Sequence, residues 1–138
     1  MNNKIVVVGV LLVVVFLAGF LPSYVKARRL ENELREARHE QNLAQLRDMA
    51  SLAYFQANQK DYGLAGGTAT RFFDCTQEAV KQAPDAGARK PLEDLLNLRD
   101  PITAGLAKGD PGVLSDLQAL FLKTRQATAI PSGAPQPQ

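Results

Sequence analysis

Few side chains in this sequence have the types and spacing that chemistry requires. Among 138 residues there is one histidine, His39, and one cysteine, Cys75. A protein metal site takes three or four ligands, so with only carboxylates to complete the set, no metal site is expected. Cys75 follows Phe72 and Phe73 in a helical pattern, which places it as a small core residue rather than a nucleophile. A lone thiol also cannot close an internal disulfide. His39 lies between Glu36 and Glu40 on a stretch dense in charge, and so reads as solvated. Glu93 and Asp94 are adjacent, about 100° apart around a helix, and do not converge on one substrate atom. The glycines of 63–67 lack the preceding strand and the Lys-Ser/Thr pair of a phosphate loop. No nucleophile and base can be paired from these spacings. The expectation is a chain that is not an enzyme, with no catalytic, cofactor-binding or metal residues.

What remains is aromatic. Tyr54, Phe55, Tyr62, Phe72 and Phe73 lie close together in sequence, and most of them should be core. Neighbours on a helix point about 100° apart, so Tyr54 and Phe55 cannot share a direction, nor can Phe72 and Phe73. One of each pair is expected at the surface, and the five together form the candidate surface for a protein partner.

Charge narrows the partners. Sixteen Lys and Arg against fourteen Asp and Glu give a net charge of +2, without the basic stripe of a nucleic-acid binder. The apolar residues, by contrast, are concentrated. Fifteen of the seventeen residues in Ile5–Leu21 are hydrophobic and none is charged, and seven of the ten valines fall there. The rest of the chain has five Val and Ile but fifteen Leu and many Ala, a composition that favours helices over sheets. The expected class is all-α: a single N-terminal transmembrane helix running into a charged stalk, then a small helical-hairpin or bundle domain.

Seventeen helical residues span about 25 Å, short of a hydrocarbon core of about 30 Å; continuing to Val25 gives about 31 Å. Tyr24 then falls at the interface, where a ring with a polar tip is favoured. Residues 1–25 are therefore read as a membrane anchor, single-pass in the plasma or inner membrane. The alternative is a signal peptide cleaved after Ala27, releasing an extracytoplasmic or secreted helical domain. Val25 and Ala27 supply the small residues such a site needs. Against cleavage, the apolar run exceeds the usual 7–15 residues, and Arg28 and Arg29 follow the site directly. Lys26, Arg28, Arg29, Arg35 and Arg38 outnumber Lys4 across the span, which favours a cytoplasmic body. An N-in anchor with an extracytoplasmic body is the alternative orientation.

Residues 26–42 contain nine charges, with i,i+4 pairs such as Arg29–Glu33 and Glu31–Arg35. Leu30, Leu34 and Ala37 make a thin apolar stripe. This segment reads as a solvated helical stalk, compatible with a short coiled coil and a weak homodimer.

A body of helices follows over 43–127. Leu43, Leu46, Ala50, Ala53 and Ala57 repeat at spacings of three and four, and the small alanines invite a close partner helix. Residues 58–61 make a turn, with Asp61 able to cap a second helix over 62–83. Gly66 and Gly67 inside that helix imply tight backbone contact with the alanine seam, or a local break. Leu52-Ala53, Asp61-Tyr62 and Ala65 resemble the helix–turn–helix of a tetratricopeptide repeat over about one 34-residue unit, near 46–79. The resemblance implies a helical hairpin of that shape and a protein-interaction role. Gln56 stands where an aromatic is usual and Lys60 where glycine is usual, and no second copy is visible.

Three shorter helices are expected near 89–99, 101–108 and 111–127. The last two would start at Asp100-Pro101 and Asp110-Pro111, with Asp as N-cap and Pro at the first helical position. A single helix kinked at Pro101 is the alternative. Leu92, Leu95, Leu96, Leu98, Ile102, Leu106, Val113, Leu114, Leu117, Leu120 and Phe121 would close the core over the hairpin. Residues 128–138, with three prolines and no charge, read as a disordered tail. The function expected from the whole is tethered interaction: a membrane-anchored adaptor or an accessory subunit of a membrane complex.

Overall fold

A computed structural model describes residues 2–129 of the chain. Those residues form five α-helices and no strands: α1 Asn2–Asn58, α2 Tyr62–Gln82, α3 Ala86–Leu96, α4 Arg99–Lys108 and α5 Val113–Ala127. Contacts divide the chain into two units, Met1–Arg38 and His39–Gln138, and α1 contributes to both.

In the first unit α1 stands alone. It continues through Pro22, and every described side chain before His39 is exposed. The apolar segment is long enough to cross a membrane, and none of it is buried. One turn beyond it, Arg28 Nη2 donates to Tyr24 Oη at 2.8 Å while its guanidinium lies 5.0 Å from the ring centroid.

The second unit is a helical bundle. The last part of α1 and all of α2 make an antiparallel hairpin. Asn42 Nδ2 donates to Gln82 Oε1 at 3.0 Å, and Thr68 Oγ1 donates to Gln56 Oε1 at 2.7 Å. Fourteen residues forward on α1 thus match fourteen back on α2, with no slip of register. Along this hairpin Ala50, Ala53 and Ala57 of α1, with Ala65 and Ala69 of α2, are buried at 0–1% exposure. Close packing is carried by these alanines and not by glycine. At Gly66 and Gly67 an added Cβ would meet nothing within 4 Å, and α2 passes through both unbroken. The expected glycine contact is corrected accordingly: that pair lies off the packed face.

The hairpin turns through a Schellman motif. The Lys60 amide donates to Ala57 O at 2.9 Å and the Asp61 amide to Gln56 O at 3.0 Å. This geometry puts Lys60 at φ 65°, the one described non-glycine residue in the left-handed region. Asp61 then caps α2, its Oδ1 accepting from the Leu64 amide at 3.2 Å. A side chain in the left-handed conformation costs about 1 kcal/mol. Lys60→Gly is therefore expected to raise the stability of the body by about 1 kcal/mol, read as a higher urea midpoint at unchanged slope.

Packed against α2, α3 and α4 cover a second side of it, and α5 packs against both. The helix starts differ from the sequence reading. Asp85, not a residue near 89, caps α3, with its Oδ1 accepting from the Ala88 amide at 2.8 Å. Asp100 and Pro101 lie inside the first turn of α4, which begins at Arg99. Pro101 has no amide with which a helix continuing from α3 could bond the carbonyl of Asn97, and α3 ends there. At the third junction Asp110 accepts from the Gly112 amide at 2.9 Å, and one tight turn precedes α5. Gly109, at φ 64°, closes α4 with the same bond pattern as Lys60: its amide donates to Leu106 O, and that of Asp110 to Gly105 O.

At the far end Thr128 is 3% exposed, its Oγ1 and amide both donating to Thr124 O. The rest of the expected tail, 130–138, lies outside the described residues.

Candidate functional site

The five aromatic residues proposed as a partner surface do not share one environment. Phe72 and Phe73 are both fully buried, with ring centroids 5.2 Å apart and planes at 84°. The expectation that one of them reaches the surface is corrected. A residue pair 100° apart is buried together when a helix is covered over much of its circumference, and α2 has α1 on one side and α3 and α4 on another. The pair belongs to the core.

On α1 the split does occur. Tyr54 is half-buried and packs on the core, whereas Phe55 is 56% exposed. Tyr54 lines a shallow cleft of about 190 Å³ with Ser51 of α1 and Gln118, Phe121 and Leu122 of α5. Leu122 is 53% exposed, and Arg125 lies 5.9 Å over the Phe121 ring. Sequence reasoning placed Phe121 in the core and gave Leu122 no role. The signal for Leu122 was its phase: Val113, Leu117, Leu120 and Thr124 make the buried face of α5, and Leu122 stands off it. With Leu52, 46% exposed, these residues are the apolar side chains that α1 and α5 leave in solvent on the bundle.

Tyr62 lies elsewhere. It is half-buried at the start of α2 and lines a wider depression with Gly63, Gly66, Thr103 and Gly109. A Cβ on Gly109 would come within 3.5 Å of its ring, so the ring leans over the α4 terminus and covers that turn. Its role in the structure is packing.

Among the described residues, no three His, Cys, Asp or Glu side chains come together. Cys75 is half-buried against the core. His39 is partly enclosed, and its Nδ1 has no hydrogen-bond partner. Among the described residues two ion pairs form, Lys81–Glu78 at 2.8 Å along α2 and Arg99–Asp74 at 3.4 Å between α4 and α2. All four side chains are well exposed, so each pair contributes little.

Compared with known proteins, the chain matches no family, no curated protein and no solved structure.

Proposed function

We propose that the chain is a single-pass membrane protein whose helical bundle engages a protein partner, with no catalysis of its own. The observation that carries this reading is the apolar stretch of α1. Its large side chains from Ile5 to Leu21 are 52–73% exposed, with none of the described residues folding over them. Water is a poor solvent for such a surface. Each Val, Leu, Ile or Phe gains about 0.3–0.6 kcal/mol on moving to the centre of a bilayer helix, several kcal/mol in all. Arg28, held on Tyr24 one turn later, fits the headgroup level, where aromatic and basic side chains are both favoured.

The membrane in this reading is the plasma or inner membrane, with the body on the cytoplasmic side by the count of Lys and Arg flanking the span. Tethering supplies the mechanism: confinement beside a membrane complex raises the effective concentration of the bundle for its partner. The face best suited to that partner is the α1–α5 cleft, with Tyr54, Phe121 and Leu122 beside exposed Phe55. A few well-packed side chains, tyrosine prominent among them, carry most of the energy of an interface.

Fractionation tests the anchor. The chain is expected in the membrane pellet after alkaline carbonate extraction, at the mass of the uncleaved sequence. A soluble product beginning at Arg28 overturns the anchor and establishes a cleaved signal peptide. A C-terminal phosphatase reporter reads the side: activity there overturns the cytoplasmic placement.

A further inference from the structure

We propose that residues 26–42 pair with the same segment of a second copy of this chain, as a short parallel two-stranded coiled coil. The inference rests on the tethered reading above, in which two anchored copies present their stalks with the same polarity. Ala27, Leu30, Leu34, Ala37 and Gln41 follow one another at spacings of three and four residues. That is the alternation of a heptad seam, with Ala27, Leu34 and Gln41 at a and Leu30 and Ala37 at d. Leu30 is 60% exposed and Leu34 51%, and the other three are exposed as well. A single chain leaves the seam uncovered.

The flanking charges identify what covers it. In this frame Lys26 and Glu33 occupy g, and Glu31 and Arg38 occupy e. In a parallel pair each g residue meets the e residue of the following heptad on the other helix. Lys26 then meets Glu31 of the second copy, and Glu33 meets Arg38. Both contacts join opposite charges, and two-fold symmetry makes each occur twice. The next such contact, Glu40 with Gln45, carries no repulsion. Residues five apart on one helix point about 140° apart, so neither contact can close within a chain. The pairs that could, Arg29–Glu33 and Glu31–Arg35, do not form: among the described residues no ion pair lies in the stalk. Its charges are left to be met from outside. The seam holds only two leucines, so association depends on the concentration that anchoring supplies.

Cysteine cross-linking of the full chain in membranes tests the pairing, in a Cys75→Ser background. Leu30→Cys, Leu34→Cys and Ala37→Cys are expected to oxidise to a covalent dimer several-fold more than Arg29→Cys, Asn32→Cys and Glu36→Cys, which face outward in this frame. Equal yields at all six, a preference for the outward set, or no dimer at any position overturns the proposal. The charges give a second reading. Glu33→Lys and Arg38→Glu, each added to Ala37→Cys, are expected to lower the yield. Co-expression of the two variants restores opposite charges at every contact of the mixed dimer and is expected to restore the yield. Absence of that recovery overturns the parallel register. The anchor is judged by the fraction in which the chain is found, and the dimer by which face cross-links, so either can fail alone.

Discussion

Truncating Phe72 or Phe73 to alanine is expected to cost the bundle about 3–5 kcal/mol in either case. Both side chains are at 0% exposure and are the largest fully buried groups among the described residues. Each loss combines a transfer term with an unfilled cavity between α2 and the helices that enclose it. The bundle has about the size of a domain whose whole stability is 5–15 kcal/mol, so either variant leaves it marginal. The chain has no tryptophan, and urea unfolding followed by the fluorescence of Tyr54 and Tyr62 reads the loss. The rings meet edge to face, a geometry worth about 0.5–1.5 kcal/mol beyond burial. The double variant is therefore expected to lose less than the sum of the single ones. A loss below about 1 kcal/mol at Phe73 would show that the ring is not enclosed by α2 and its neighbours.

The opposite change, in a place that has no room, is expected to cost about 1–3 kcal/mol: Ala53→Leu. Ala53 is fully buried in the same core cluster as Ala50, Ala57, Ala65 and Ala69. Three added carbons there have to push α1 from α2, and the Gln56–Thr68 and Asn42–Gln82 bonds fix the register along which that strain spreads. Leu52, one residue away and 46% exposed, provides the control. Leu52→Ala is expected to stay within about 0.5 kcal/mol of the parent. A thermal melt of Ala53→Leu that overlays the parent would show that the hairpin does not pack through this seam.

How far these features could be read from the sequence depends on whether their cause is local. The alanine repeat and Asp61 announced the hairpin because a seam and a cap are each set by residues within a turn or two. The all-helical class followed from leucine and alanine outweighing valine and isoleucine, a preference of single residues. Phe72 and Phe73 were misread because one helix seen alone has one buried face; what buries two neighbours is a second layer, α3 and α4, arriving from elsewhere in the chain. Gly66 and Gly67 misled for a related reason. Glycine permits close approach but does not compel it, and here the contact fell to Ala65 and Ala69 instead. Asp100-Pro101 reads locally as a helix start, yet α4 begins two residues before Pro101, at Arg99, with no side-chain cap to mark it. The α1–α5 cleft depends on two helices more than fifty residues apart, and only the off-phase position of Leu122 hinted at it. Lys60, just past the end of α1, takes up a glycine-like backbone that its side-chain type did not announce.

That residue has a counterpart within the same bundle. The turns after α1 and α4 carry the same two hydrogen bonds and differ at the left-handed position, lysine in one and glycine in the other. With the bonding held equal, the energy stored in backbone strain differs between them, and the difference belongs to the bend at Lys60. Transient opening begins where a structure has least to lose. The amides of Lys60 and Asp61 are therefore the ones to exchange with solvent ahead of those of Gly109 and Asp110, and within the bundle the peptide after Lys60 yields to a protease that cuts after basic residues more readily than the peptide after Lys108.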